Sequence, residues 1–192
     1  ICDLMGMDTM SAGGAIGFAM ELKKRGLLRT TLSFGKPGNI SRILYNIAAR
    51  RGIGDDLANG VRKLSEKYGG VDYAMHVKGL ESAGYEPRNA VGHGLGYATA
   101  NRGACHIGGG YLVHMEALGS VTMDPLATSS KPELAVLMQN ILDAVGCAIS
   151  CVFSSYALYP QVSPYGTLGR LVSAAMPFSG NAIEILLRGV RK

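Results

Sequence analysis

The stretch GYEPRNAVGHGLGYATANRGACHIGGGY, residues 84–111, constrains this chain more than any other part of it. It is crowded with glycine, carries His93 and His106, and has little charge beyond Arg88 and Arg102. Disordered segments are polar and poor in aromatic residues, whereas this one holds Leu95, Tyr97, Ala98 and Cys105. Long connections without regular structure are either functional or disordered. The stretch is therefore expected to be an ordered, site-forming loop. Glycines 92, 94 and 96 superficially suggest a nucleotide-binding loop, but the strand–turn–helix context that such a loop needs is absent.

The flanking sequence reads as helices, and the expected class is mainly α. Asp8 and Ser11 are both good N-caps, and Lys23-Lys24-Arg25 before Gly26 is a stop signal. Gly13, Gly14 and Gly17 within that helix suggest close approach by another backbone or a flat ligand, since each lowers helix propensity. A second helix is predicted from about Asn39 to Arg51, with Ile40, Ile43, Leu44 and Ile47 on one stripe. A third is predicted from Asp55 to Tyr68, followed by a short extended piece at Tyr73–Val77. Ser130-Lys131-Pro132-Glu133 starts a long helix with proline in its first turn, and residues 164–192 read as two more.

Composition narrows the function classes. The 192 residues are 47% apolar and only 17% charged, against about 25% charge in a typical soluble domain. Such a chain buries much of itself or takes cover from something else, and a start at Ile1 without Met suggests a piece of a longer protein. The net charge is +5, with the basic residues mostly at helix ends, where they complement the helix dipole. No basic stripe with interleaved aromatics is present, which argues against nucleic acid. No signal peptide is expected. The low-charge run from Leu134 to Gly169 contains Gln139, Asn140 and Asp143, which speak against a membrane span. Four cysteines without tight pairing fit a reduced cytoplasm.

Several residues carry two readings. Asp3 and Asp8 are a surface charge and a helix cap, or they are carboxylates accepting paired N–H donors from a flat heterocycle such as a pterin, with Gly6 letting the backbone come close. His93 and His106 are buried structural imidazoles, or one of them moves protons in a water-poor pocket. Arg102 suits a phosphate. Cys147 and Cys151 are small buried hydrophobes, or one is the last ligand of a cluster whose other thiolates lie elsewhere. His76 and His114 have no companions in sequence and read as structural or surface residues.

Three segments, CDLMGMDTMSAGGAIGFAMEL, GIGDDLANGVRKLSEKYG and YEPRNAVGHGLGYATANRGACH, resemble the tungsten-dependent aldehyde ferredoxin oxidoreductases, in the right order and over nearly the whole chain. The resemblance implies the latter part of the family's second, helical domain over residues 1–79 and its third over residues 80–192. A missing N-terminal part of the same polypeptide would supply a β-rich domain and the other cluster cysteines. The implied cofactors are a tungstopterin or molybdopterin and a [4Fe–4S] cluster completed from outside this chain. The implied partners are ferredoxin, a small aldehyde and, in a homodimer, a second copy, in the cytoplasm. By the same resemblance Asp3, Gly6, Met7 and Asp8 hold one pterin, Met7 through its backbone. Arg102 lies near the cofactor, and His106 stands beside the metal as proton donor and acceptor.

The second pterin motif departs from the family. One register uses Asp143, Gly146 and Cys147; the other keeps Gln139 in step, selects Cys151 as cluster ligand and leaves Gly146 where an aspartate should be. The second register is preferred. The histidine of an interface metal found in some members would fall near Ser41, where the chain has none, so that metal is not expected. Some relatives reduce aromatic-ring thioesters with the same cofactor. A helical interaction module without redox chemistry is the reading from another class.

Overall fold

The structure is a computed structural model that describes residues 1–36, 38–119, 123–147, 149–156 and 174. It is mainly α, as expected. The chain forms two compact units. The first holds Ile1–Tyr85 and Arg102–Cys105; the second holds Glu86–Asn101 and residues from His106 onward. The helices expected in 164–192 lie outside the described residues, apart from Ala174.

In the first unit, α1 (Thr9–Lys24) begins where Asp8 Oδ2 accepts the Ser11 amide at 2.6 Å. It ends where Gly26 turns left-handed (φ 77°) and the Leu27 amide returns to the Leu22 carbonyl at 2.8 Å, a Schellman closure. Ala15, Ile16, Phe18, Ala19 and Leu22 are buried against Ile43, Ile47, Leu57, Val61 and Leu64. Those partners come from α2 (Ile40–Ala48), α3 (Ile53–Leu57) and α4 (Gly60–Tyr68). At Gly54 a Cβ would stand 2.3 Å from the Asn46 backbone, so α2 and α3 meet main chain to main chain.

The single helix expected over Asp55–Tyr68 is two. The break falls at Gly60 (φ 82°), where a Cβ would meet Glu81 Oε1 at 2.7 Å. The expected extended piece is a hairpin, β1 (His76–Val77) antiparallel to β2 (Leu80–Glu81). The glycines of α1 are mostly not close-approach positions. Gly13 and Gly17 have open space, and only Gly14 has a neighbour, the Glu81 side chain at 3.1 Å.

In the second unit the helices are α5 (Val91–Thr99), α6 (Lys131–Cys147) and α7 (Val152–Tyr156); Ala135 and Met138 of α6 form a core with Leu112, and Leu95 of α5 packs against it. The glycine-rich stretch is only partly a loop: its first half is α5. A Cβ at Gly96 would lie 2.3 Å from the Gly109 carbonyl oxygen, so the helix runs against the backbone of the loop that follows. Among the described residues, no helix is long and apolar enough to cross a membrane.

Candidate functional site

The Asp3–Asp8 segment is one tight turn. Asp3 opens a short 3-10 helix, Asp3–Met5, which closes at left-handed Gly6 (φ 65°, ψ 32°). The Gly6 amide donates to the Asp3 carbonyl at 3.2 Å and the Met7 amide to the Cys2 carbonyl at 2.9 Å. Met7 packs on the core of the first unit, while Asp3, Gly6 and Asp8 are exposed. With its amide engaged, Met7 has its carbonyl left for a ligand. A cleft of about 290 Å³ opens beside the turn. Met5, Met7, Asp8, Ser11 and Ala12 line one side; Ile47, Ala48, Leu57, Ala58 and Gly60 line the other.

This donor set fits a pterin. Two exposed carboxylates accept N–H groups, and nothing lies within 4 Å of where a Gly6 Cβ would be. Asp8 engages one oxygen in capping α1, and among the described residues its other oxygen has no partner. Arg102 is exposed and belongs to the same unit. Its neighbour Gly103 (φ 112°) holds the segment on the hairpin, since a Cβ there would lie 2.3 Å from the Val77 carbonyl oxygen.

His106 and the two helix-end cysteines belong to the second unit. His106 is half-buried, and its ring meets the Tyr111 ring at 5.9 Å. Tyr111 also faces His93 at 6.4 Å, His114 at 6.2 Å and Phe153 at 5.6 Å. It has φ 48°, a conformation that costs a bulky residue ~1–3 kcal/mol and persists only where the surroundings over-determine it. His114, read from sequence as a lone residue, is one of the rings around this tyrosine.

Phe153 lies two residues beyond Cys151, so the same ring cluster brings the Cys151 segment near His106. Cys147 and Cys151 are both exposed, not buried hydrophobes. Between them α6 ends in a Schellman closure, Ser150 N to Val145 O and Ile149 N to Gly146 O, with Ile149 (φ 56°) in the place that favours glycine. Asp143 is half-buried and burial raises its carboxyl. Among the described residues, no three His, Cys, Asp or Glu side chains converge on a metal position. A cluster at Cys151 therefore needs thiolates from elsewhere.

Sequence reasoning missed what holds His93. The residue is 1% exposed. Its amide and that of Gly92 donate to the two oxygens of Glu116 at 2.9 and 2.8 Å. Glu116 is itself buried and paired with buried Lys131 at 2.5 Å. Burial pushes the His93 imidazole down to about 4; the Glu116 charge opposes that shift and His106 adds to it. His93 is thus neutral at pH 7. One signal was available: Lys131 is a cation in the first turn of a helix, where the dipole disfavours it, so an acidic partner was to be expected.

The family described as aldehyde ferredoxin oxidoreductase, domains 2 & 3, matches residues 1–191. A tungsten-containing aldehyde ferredoxin oxidoreductase of Pyrococcus horikoshii is 41% identical over 167 residues, 81% of this chain and 27% of the relative. One from Thermococcus kodakarensis is 40% identical over 166 residues, 82% of this chain and 27% of the relative. An aliphatic sulfonate oxidoreductase, WOR-like subunit, of Pyrococcus furiosus is 30% identical over 119 residues, 55% of this chain and 19% of the relative. The chain therefore spans about a quarter of the length of the tungsten-containing aldehyde ferredoxin oxidoreductases it matches. It belongs to the aldehyde ferredoxin oxidoreductase family and corresponds to that family's helical domains 2 and 3.

Proposed function

We propose that this chain forms the helical part of a tungstopterin enzyme that oxidises a small aldehyde to its carboxylate and passes the electrons to ferredoxin. The observation that carries the reading is the 41% identity, over most of the chain, to an enzyme of that name. The overall change is RCHO + H2O → RCOO⁻ + 3 H⁺ + 2 e⁻. The tungstopterin, or its molybdenum counterpart, would accept the electron pair, and a [4Fe–4S] cluster would release the electrons singly.

The rest is the work of this chain's residues. Asp3 and Asp8 accept the pterin's ring N–H and amino donors from opposite ends of the Gly6 turn. Met7 offers its carbonyl. Arg102 offers a planar cation to a phosphate. His106 takes and returns a proton at the substrate oxygen. Cys151 is the cluster thiolate, preferred over Cys147 by the register that keeps Gln139 in step. The missing N-terminal part of the polypeptide supplies the opposite wall, and four unbridged cysteines suit the cytoplasm.

The test is the complete polypeptide expressed with tungstate. It is expected to contain tungsten and iron, to oxidise acetaldehyde with benzyl viologen as acceptor, and to lose that turnover in His106→Gln. Turnover of an aryl thioester alone would move the reading to the ring-reducing branch. A colourless, metal-free folded protein would make it an interaction module. Loss of cluster absorbance in Cys147→Ser and not in Cys151→Ser would reverse the choice of cysteine. The isolated chain is expected to be inactive.

A further inference from the structure

Asp8 and Arg102 are far apart in sequence, yet a short series of contacts mounts both on the first unit. Asp8 caps α1. Farther along that helix, Gly14 comes so close to Glu81 that a Cβ would stand 3.1 Å from the Glu81 Cβ and Cγ. Glu81 is buried at the end of β2, and its carboxylate accepts the Val61 amide at the start of α4 at 2.7 Å. Glu81 thus ties the hairpin to both helices.

The hairpin is of the tight kind. His76 pairs with Glu81 and Val77 with Leu80, which leaves Lys78 and Gly79 as a two-residue loop. Both have positive φ, 55° and 87°, as a type I′ turn requires. The Gly79 amide also donates to His76 Nδ1 at 3.3 Å. Buried Gly103 lies against this turn: a Cβ there would stand 2.3 Å from the Val77 carbonyl oxygen and 3.0 Å from the Leu80 Cβ. Its φ of 112° is one that side chains rarely adopt. On one side of it Ala104 and Cys105 are buried. On the other, Arg102 is exposed and has no ion pair among the described residues.

An exposed guanidinium with no counter-charge is placed by its backbone. Here that backbone is fixed one residue away, where two main chains touch. A side chain at 103 would have to open the 2.3 Å contact by at least about 0.7 Å, to the 3.0 Å below which real Cβ contacts essentially never fall. A binding constellation tolerates only ~0.5 Å of displacement.

We propose that Gly103 is a positioning residue for Arg102, its missing side chain letting the segment seat on the Val77–Leu80 turn and so setting the cation on the same frame as Asp8. The proposal rests on the reading of Arg102 as a phosphate contact of the cofactor.

The experiment uses the complete polypeptide and compares Gly103→Ala, Arg102→Met and the double variant. One readout is the tungsten retained per polypeptide after gel filtration. The other is the rate at which trypsin cuts after Arg102 in metal-free protein, relative to the same bond in the unfolded chain. Gly103→Ala is expected to lower retained tungsten at least about threefold and to raise cleavage several-fold. Arg102→Met is expected to lose tungsten to the same degree, and the double variant no more than Arg102→Met alone, because residues acting through one contact are not additive. Gly79→Ala strains the turn without touching Gly103. It is expected to shift both readouts the same way by less, and it serves if Gly103→Ala does not fold. Wild-type tungsten and cleavage in Gly103→Ala would overturn the proposal. So would a double variant that loses clearly more tungsten than Arg102→Met, since Gly103 would then act on the fold and not through Arg102. If Arg102→Met keeps its tungsten, the reading of Arg102 fails, while the cleavage contrast still decides whether Gly103 seats the segment.

Discussion

In the first unit a buried glutamate, Glu81, closes the start of α4; in the second, Glu116 closes the start of α5. Each sits against a glycine whose Cβ would come within 2.7 Å of its carboxylate, Gly60 in one case and Gly92 in the other. The difference lies in how the charge is met. Glu81 accepts one amide, from Val61 at 2.7 Å, and has no cationic partner among the described residues. Glu116 accepts two amides and a buried ammonium. A buried pair gives weak net stabilisation when intact, but it is costly to break because it leaves a stranded charge. The second unit is therefore most costly to disturb at this point, which leads through His93 to the ring cluster around His106.

Removing the charge partners should separate the two designs most clearly. Lys131→Met in the complete polypeptide is expected to destabilise the second unit by about 3–5 kcal/mol, by leaving Glu116 unpaired. Glu81→Ala is expected to cost the first about 1–3 kcal/mol, the loss of one charged acceptor at a helix start. Hydrogen exchange at the His93 and Val61 amides reads each locally. Equal costs would erase the distinction.

The next largest effect is pH dependence, which the first unit lacks a buried histidine to provide among its described residues. His93 titrates near 6.5 when unfolded and at about 4 when folded. Between those values the unfolded state binds more protons. Stability of α5 is therefore full above about 6.5 and falls as pH drops toward 4, by up to ~3 kcal/mol. Protection factors of α5, compared with α4 across that window, should show the slope, and His93→Phe should flatten it. A slope unchanged in His93→Phe would assign it to another group.

Glycine substitutions sharpen the comparison further. Gly96→Ala, with a Cβ 2.3 Å from the Gly109 carbonyl, is expected to cost the second unit about 1–3 kcal/mol. Gly13→Ala, in open space on α1, is expected to stabilise the first by about 0.5–1 kcal/mol. Thermal unfolding of each variant checks the sign. The smallest effect is a gain of about 1 kcal/mol from Ile149→Gly, which relieves the left-handed position at the end of α6; a loss there would mean that the side chain is used elsewhere.

The elements that could be read in advance are those whose determinants are local. α1 was legible because Asp8, Lys23-Lys24 and Gly26 are its own caps, and α2 because four apolar residues share its stripe. The break between α3 and α4 was not, because it depends on Glu81, a residue 21 positions beyond Gly60. The glycine stretch reads in sequence as ordered, but as loop along its whole length. Glycine argues against helix, and only the Glu116 carboxylate, set by packing far along the chain, closes α5 over it. At the Asp3–Asp8 turn the spacing alone suits a plain cap, which the structure gives Asp8, and the pterin reading rests on the resemblance. The Tyr111 cluster was invisible. Its members at 93, 106, 111, 114 and 153 follow no period, and ring contacts across a fold leave no spacing to read.

The return of Arg102–Cys105 to the first unit has a consequence for how this chain is made. A ribosome delivers the polypeptide from its N-terminal end, and domains generally fold as they emerge. The first unit is still short of a piece when Tyr85 appears, because the segment around Gly103 that lies on its hairpin has yet to be synthesised. By the time that segment arrives, the whole of α5 has already left the tunnel ahead of it, still lacking Glu116 and Lys131. The nascent chain must therefore carry an unlocked α5 while the unit before it is being finished. Stalled translation between residues 85 and 105 is where such a chain would be most exposed to misfolding or to capture by a chaperone.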